Sequence, residues 1–191
     1  TRTGLTTMCI DAGMDTGDIL LQREITIGSG ETAPELAARM AEGGASLMEE
    51  TLCGLAAGTI VPRPQDHAEA THAPILKKED GRIDWNRPAH EIYNRMRGFA
   101  PWPGAFTTFR GQTCHLWAEL VPKEWITGHS IGGGDAAPGT LIFEKKELFV
   151  LCGHATVLRL QTVKLEGRKP VRAADFAHGA RLKPGERFGV I

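Results

Sequence analysis

The chain has 191 residues, with 22 Lys and Arg against 23 Asp and Glu, a net charge of −1, 24% charged and 41% hydrophobic residues. Such values are ordinary for a globular chain of one or two small domains, and they exclude a collagen-like repeat, a disordered acidic tail and a bulk-basic coat for nucleic acid. No run of about 18 apolar residues is present to span a bilayer, so no membrane partner is expected. The chain opens on Thr1, and Met8-Cys9-Ile10 is too short for a signal-peptide core, so it reads as a processed product or a fragment.

In chain order, residues 5–10 are apolar and β-branched and predict a strand. Asp11 to Asp18 holds two glycines and three aspartates, which is turn chemistry, and an apolar strand resumes at Ile19 and runs on through Ile25 and Ile27. Thr32-Ala33-Pro34-Glu35 is a capping-box pattern opening a helix whose apolar stripe is Leu36, Met40, Leu47, Met48, Leu52 and Leu55 and which stops at Gly58. Gly43-Gly44 weakens that helix by about 1 kcal/mol per glycine, which close packing on a sheet would explain. Residues 61–78 contain Pro62, Pro64 and Pro74 and predict an extended polar linker; His67 and His72 within it lack the Cys or carboxylate neighbours of a metal site. A second helix follows, with Asn86 as cap, Pro88 in the first turn and Gly98 as its end. Trp102, between Pro101 and Pro103, reads as a packed structural plug. Five short strands then follow at 105–110, 113–121, 139–143, 148–152 and 156–163, with a glycine-rich loop over 127–138. The fold class expected is an α/β remnant over residues 1–60, a linker over 61–78 and a β-rich module over 79–191, the last a small OB-like barrel or a sandwich.

Charge divides along the same line. Residues 1–78 carry six basic and eleven acidic residues, net −5, whereas residues 159–191 carry eight basic and three acidic, net +5. That tail is a candidate surface for a polyanion, or a solvated basic face with no partner. Cys9, Cys53, Cys114 and Cys152 form no C-x-x-C pair and predict buried free thiols of a reducing compartment, with no metal.

The chemical candidate is the Asp11–Asp18 turn. A carboxylate on a tight loop beyond strand ends can orient a histidine, relay a proton, bind metal or only cap the turn. Composition and spacing do not choose among these.

A resemblance adds to this. GLTTMCIDAGMDTGDIL (4–20), KKEDGRIDW (77–85), RGFAPWPGAFT (97–107) and GRKPVRAADFAHGARLKPGERF (167–188) resemble, in order, stretches of the methionyl-tRNA formyltransferase family. The first three are also similar to sugar-nucleotide formyltransferases and other users of 10-formyltetrahydrofolate. The resemblance implies a Rossmann-like catalytic domain, a C-terminal OB-like domain that holds tRNA, 10-formyltetrahydrofolate as formyl donor, initiator methionyl-tRNA as acceptor, a cytoplasmic location and a monomer when full length. It implies that Asp15, opening DTGD, is one of three catalytic residues. The family's Asn-x-His motif, which supplies the other two, is not in this sequence, so the chain alone is expected to be inactive. The resemblance further points to Asp11, Ala12, Gly13 and Met14 for folate and, with the charge count, to Arg168, Lys169, Arg172, Arg181 and Lys183 for tRNA. An RNA-binding module without catalysis stands as the alternative to an enzyme.

Overall fold

The computed structural model describes residues 2–122 and 136–189. The chain divides into two compact units, Thr1–Ile75 and Leu76–Ile191. The first consists of strand β1 (Arg2–Met8), strand β2 (Ile19–Thr26) and helix α1 (Ala33–Ala56). β1 and β2 pair antiparallel, from Arg2 opposite Thr26 to Met8 opposite Ile19. Period-two alternation turns Thr3, Leu5 and Thr7 inward. A Cβ on Gly43 of α1 would lie 3.2 Å from Leu5 Cδ1, so the glycine pair does serve close packing on the sheet. The contact is locked by a buried pair, Thr7 Oγ1 and Thr51 Oγ1 at 2.8 Å, with the Thr51 hydroxyl donating to the Leu47 carbonyl at 2.7 Å. At the other end the Glu35 carboxylate accepts from the Thr32 amide (2.8 Å) and hydroxyl (2.7 Å), as the capping pattern predicts.

The apolar stripe of α1 is only partly core. Leu47 is buried and Leu36 and Met40 are half-buried, but Met48, Leu52 and Leu55 are exposed. The latter three recur at i, i+4 and i+7 and form a second face of the same helix. Residues 61–75 of the expected linker belong to the first unit, where Arg63 makes an antiparallel bridge with Ile19 through two backbone hydrogen bonds of 2.8 and 2.9 Å.

The second unit holds helix α2 (Ala89–Gly98), strands β3 (Phe106–Phe109), β4 (Gln112–Leu120), β5 (Leu141–Glu144), β6 (Glu147–Cys152), β7 (Thr156–Leu165) and β8 (Val171–Arg172), and helix α3 (Ala173–Ala180). α2 starts at Ala89 with Pro88, not Asn86, as its N-cap. The sheet runs β3-β4-β7-β6-β5, all neighbours antiparallel, with β8 on β7. Among the described residues no pairing of β3 with β5 closes this path into a ring. The C-terminal segment touches both edges instead: Leu141 N–H donates to Glu186 O, Phe188 N–H to Gly139 O, and Gly189 N–H to Thr108 O.

Three tight hairpins put consecutive residues in the left-handed region: Arg110-Gly111, Lys145-Lys146 and His154-Ala155. Such turns match the right-handed twist of antiparallel strands. The core is lined by Trp85, Ile92 and Met96 on one side and by alternate residues of β4, β6 and β7 on the other. Trp85 stacks on Phe188 at 5.7 Å and donates its indole N–H to Thr107 Oγ1 at 3.1 Å. α3 adds Phe176, edge-on to Phe109 at 5.1 Å; sequence periodicity did not predict this helix.

Two expectations are corrected. Trp102 is 57% exposed and plugs nothing within its unit. Of the cysteines only Cys114 and Cys152 are buried, and burial pushes both thiols up to about 12; Cys9 and Cys53 are exposed. The predicted loop at 127–138 lies mostly outside the described residues.

Candidate functional site

The ten residues between β1 and β2 form a braced loop. Cys9 N–H donates to Asp18 O at 2.9 Å and adds a rung beyond the strands. Gly17 is buried there, and a Cβ on it would fall 1.8 Å from the Cys9 carbonyl oxygen, so only glycine fits. Asp11 is spent on the loop itself. Its Oδ1 accepts from the Thr16 hydroxyl at 2.6 Å and the Gly13 amide at 3.0 Å. These bonds, the Thr16 hydroxyl first, hold the Asp11 carboxyl below the usual carboxylate range, with His67 acting in the same sense.

Asp15 differs. Its backbone sits in the left-handed region at φ 55°, its side chain is exposed, and its carboxylate takes no hydrogen bond or ion pair from the described residues. The main chain around it is held from outside. Gln65 Nε2 donates to Asp15 O at 2.9 Å and to Gly17 O at 2.7 Å, with Met8 Sδ at 3.9 Å. The loop and residues 63–70 together line a groove of about 560 Å³ whose walls include Met14, Asp15, Gln22, Arg63, Gln65 and His67. Arg63 is fixed in that wall by its hydrogen bond to Gln22 Oε1 at 2.7 Å. Of the four residues expected to face folate, Met14 lines this groove and is 90% exposed, whereas Asp11, Ala12 and Gly13 do not line it. Gln65, Arg63 and His67 were missed, because a proline-rich stretch reads as a linker until its bridge to Ile19 is seen.

The five tail cations fall at three places. Arg168 and Lys169 line an apolar groove of about 370 Å³ with Val163, Leu165, Val171 and Phe176. Arg172 faces a different hollow and is ion-paired with Asp175 at 3.0 Å, which raises its own pKa and lowers that of Asp175. Arg181 caps α3 in a left-handed conformation at φ 48°, and the Lys183 amide donates to Glu186 at 2.7 Å. The side chains of Arg168, Lys169, Arg181 and Lys183 are in exposed residues and form no salt bridge with described residues. His115 stands opposite Lys164 on the β4–β7 ladder; burial first, then Lys164 and Lys78, lower its pKa.

Residues 75–181 match the formyl transferase C-terminal domain and residues 1–52 match the formyl transferase domain. The chain belongs to the formyl transferase family. It is 53% identical over 189 residues to the methionyl-tRNA formyltransferase of Solibacter usitatus, covering 99% of this chain and 58% of that protein. Identity to the methionyl-tRNA formyltransferase of Koribacter versatilis is 49% over 187 residues, covering 98% and 57%. The chain thus spans just under three-fifths of the length of these relatives. Its fold is similar to that of HypX from Aquifex aeolicus in complex with tetrahydrofolic acid, with a TM-score of 0.61 at 17% identity over 92% of this chain and 30% of the other.

In this chain the carboxylates of the braced loop are used differently. One carboxylate, Asp11, ties the loop; a second, Asp15, is left free on its surface beside a groove. Among the described residues no group of three or more His, Cys, Asp or Glu side chains is placed to hold a metal ion.

Proposed function

We propose that the protein transfers a formyl group from 10-formyltetrahydrofolate to the amino group of methionyl-initiator tRNA, with Asp15 as one of its catalytic residues. The observation that carries the reading is the uncommitted, exposed carboxylate of Asp15 beside a groove on a loop braced by Asp11, Gly17 and Gln65, in a chain 53% identical to a methionyl-tRNA formyltransferase. The methionyl amine must lose a proton as it attacks the formyl carbon. The tetrahedral intermediate carries an oxyanion, and the folate nitrogen leaves with a proton. A lone carboxylate supports the proton transfers but offers no donor to the oxyanion. The resemblance assigns that donor role to an Asn and a His that these 191 residues do not contain, so the chain by itself is inactive. The groove beside Asp15 and Met14 is the folate side of the reaction. The C-terminal unit, which we read as OB-like, holds tRNA through Arg168, Lys169, Arg181 and Lys183.

The test has two arms. The purified 191-residue chain is assayed for formyl transfer, then assayed again fused behind the portion of the Solibacter relative that it does not match. The reading expects no product from the first and turnover from the second. Turnover by the unfused chain refutes the shared catalytic set. A fusion that formylates an amino sugar nucleotide but not methionyl-tRNA refutes the acceptor.

A further inference from the structure

We propose that Gln65 is the positioning residue for Asp15: its side-chain amide holds the carbonyls of Asp15 itself and of Gly17 just after it and fixes where the Asp15 carboxylate points. The inference rests on the reading of Asp15 above. Four observations support it. First, the amide has two N–H donors and two carbonyl acceptors in reach, Asp15 O at 2.9 Å and Gly17 O at 2.7 Å, with the weaker Met8 sulfur acceptor farther off at 3.9 Å. Second, Asp15 occupies a left-handed conformation that an L-residue with a Cβ adopts at a cost, and a conformation of this kind persists only where its surroundings over-determine it. Third, Gln65 is itself anchored. It lies two residues after Arg63, whose backbone exchanges two hydrogen bonds with Ile19 at the start of β2, so the side chain reaches the loop from a fixed base. Fourth, the brace holds Asp15 through its main chain and leaves the Asp15 carboxylate free of partners among the described residues. Asp11 and Thr16 brace the first half of the loop; Gln65 is what holds the second half.

Bulk cannot do this work. Gln65→Glu keeps nearly the same volume but replaces the two donors with an acceptor facing two carbonyl oxygens. Gln65→Glu and Gln65→Ala are therefore examined in the full 191-residue chain by amide hydrogen exchange and carbonyl ¹³C NMR. In both variants the Cys9 amide, bonded to Asp18 at the base of the loop, is expected to exchange about tenfold faster, while the Ile19 amide, bonded to Arg63, keeps its rate. The ¹³C′ resonances of Asp15 and Gly17 should both move upfield as their hydrogen bonds are lost. In the fused enzyme Gln65→Glu should lower kcat at least tenfold with the KM for 10-formyltetrahydrofolate within threefold of the parent. A Gln65→Glu chain with parental exchange and carbonyl shifts overturns the inference, as does faster exchange at Cys9 and Ile19 alike, which would mark general loosening. If exchange and shifts change as expected but Asp15→Asn leaves kcat intact, the brace stands and the catalytic reading of Asp15 fails.

Discussion

Gly17→Ala is the sharpest steric perturbation that the loop offers. The added methyl would sit 1.8 Å from the Cys9 carbonyl oxygen and 2.7 Å from its carbon. Both are backbone atoms, so no side-chain rotation relieves the clash. The loop must instead open at its base, giving up the Cys9–Asp18 hydrogen bond and pulling Gly17 O away from Gln65. A lost hydrogen bond of this kind costs about 0.5–1.5 kcal/mol, and overpacking costs about 1–3 kcal/mol, so roughly 2–4 kcal/mol is expected. Tryptophan fluorescence is not the assay for this change, because residues 1–75 contain no tryptophan. Hydrogen exchange at the β1–β2 amides reads it. At about 1.4 kcal/mol per factor of ten, exchange there should accelerate between about 30- and 1,000-fold if local opening governs it. Gly58→Ala is the control: Gly58 has a positive φ of 67° but nothing within 4 Å of the added carbon, so its cost is about 1 kcal/mol, from conformation alone. Equal and small effects for the two substitutions would refute the reasoning.

Further predictions follow from the same geometry. Asp11 is hydrogen-bonded as a carboxylate and its pKa lies below the ordinary 3.8. Its contribution to loop order is therefore complete above the unfolded value and lost as pH falls through the lowered one; acid titration followed by Gly13 and Thr16 amide shifts should place the change below pH 3.8, and Asp11→Ala should abolish it. In tRNA binding, single Arg168→Ala, Lys169→Ala, Arg181→Ala or Lys183→Ala changes should each lower the slope of log K against log salt by about one unit. Arg172→Ala should lower it less, because Asp175 already neutralises that charge in the free protein. Ala155 takes φ 53° in the β6–β7 hairpin, so Ala155→Gly should stabilise the second unit by about 0.5–1 kcal/mol in urea unfolding followed by tryptophan fluorescence.

Much of the framework was legible because it rests on local pattern. In β4 buried and half-buried residues alternate with period two from Thr113 to Glu119, and β6 is a short apolar run; both patterns are visible in a window of about six residues. The capping of α1 by Thr32 and Glu35 was likewise local. What escaped was set by distant partners. α3 is only eight residues long and owes its helix to Phe176 packing on Phe109, which no local window contains. Trp102 between two prolines has the composition of a buried plug, but nothing within its unit covers it. The groove beside Asp15 was hidden because Gln65 lies 50 residues after Asp15 and Arg63 lies 41 after Gln22, and they meet the loop and β2 only after folding. The three aspartates of the loop looked equivalent in sequence. Hydrogen bonding sets Asp11 apart by spending it on the turn, and exposure beside the groove sets Asp15 apart from the half-buried Asp18.

The central claim is that the Asp15 carboxylate takes part in formyl transfer. It is tested most directly by kcat for methionyl-tRNA formylation in the fused enzyme carrying Asp15→Asn, which keeps the size of the side chain and removes its charge. Loss of a group that handles protons in the transition state predicts a fall in kcat of about 10²–10⁴-fold. A kcat within threefold of the parent would contradict the account.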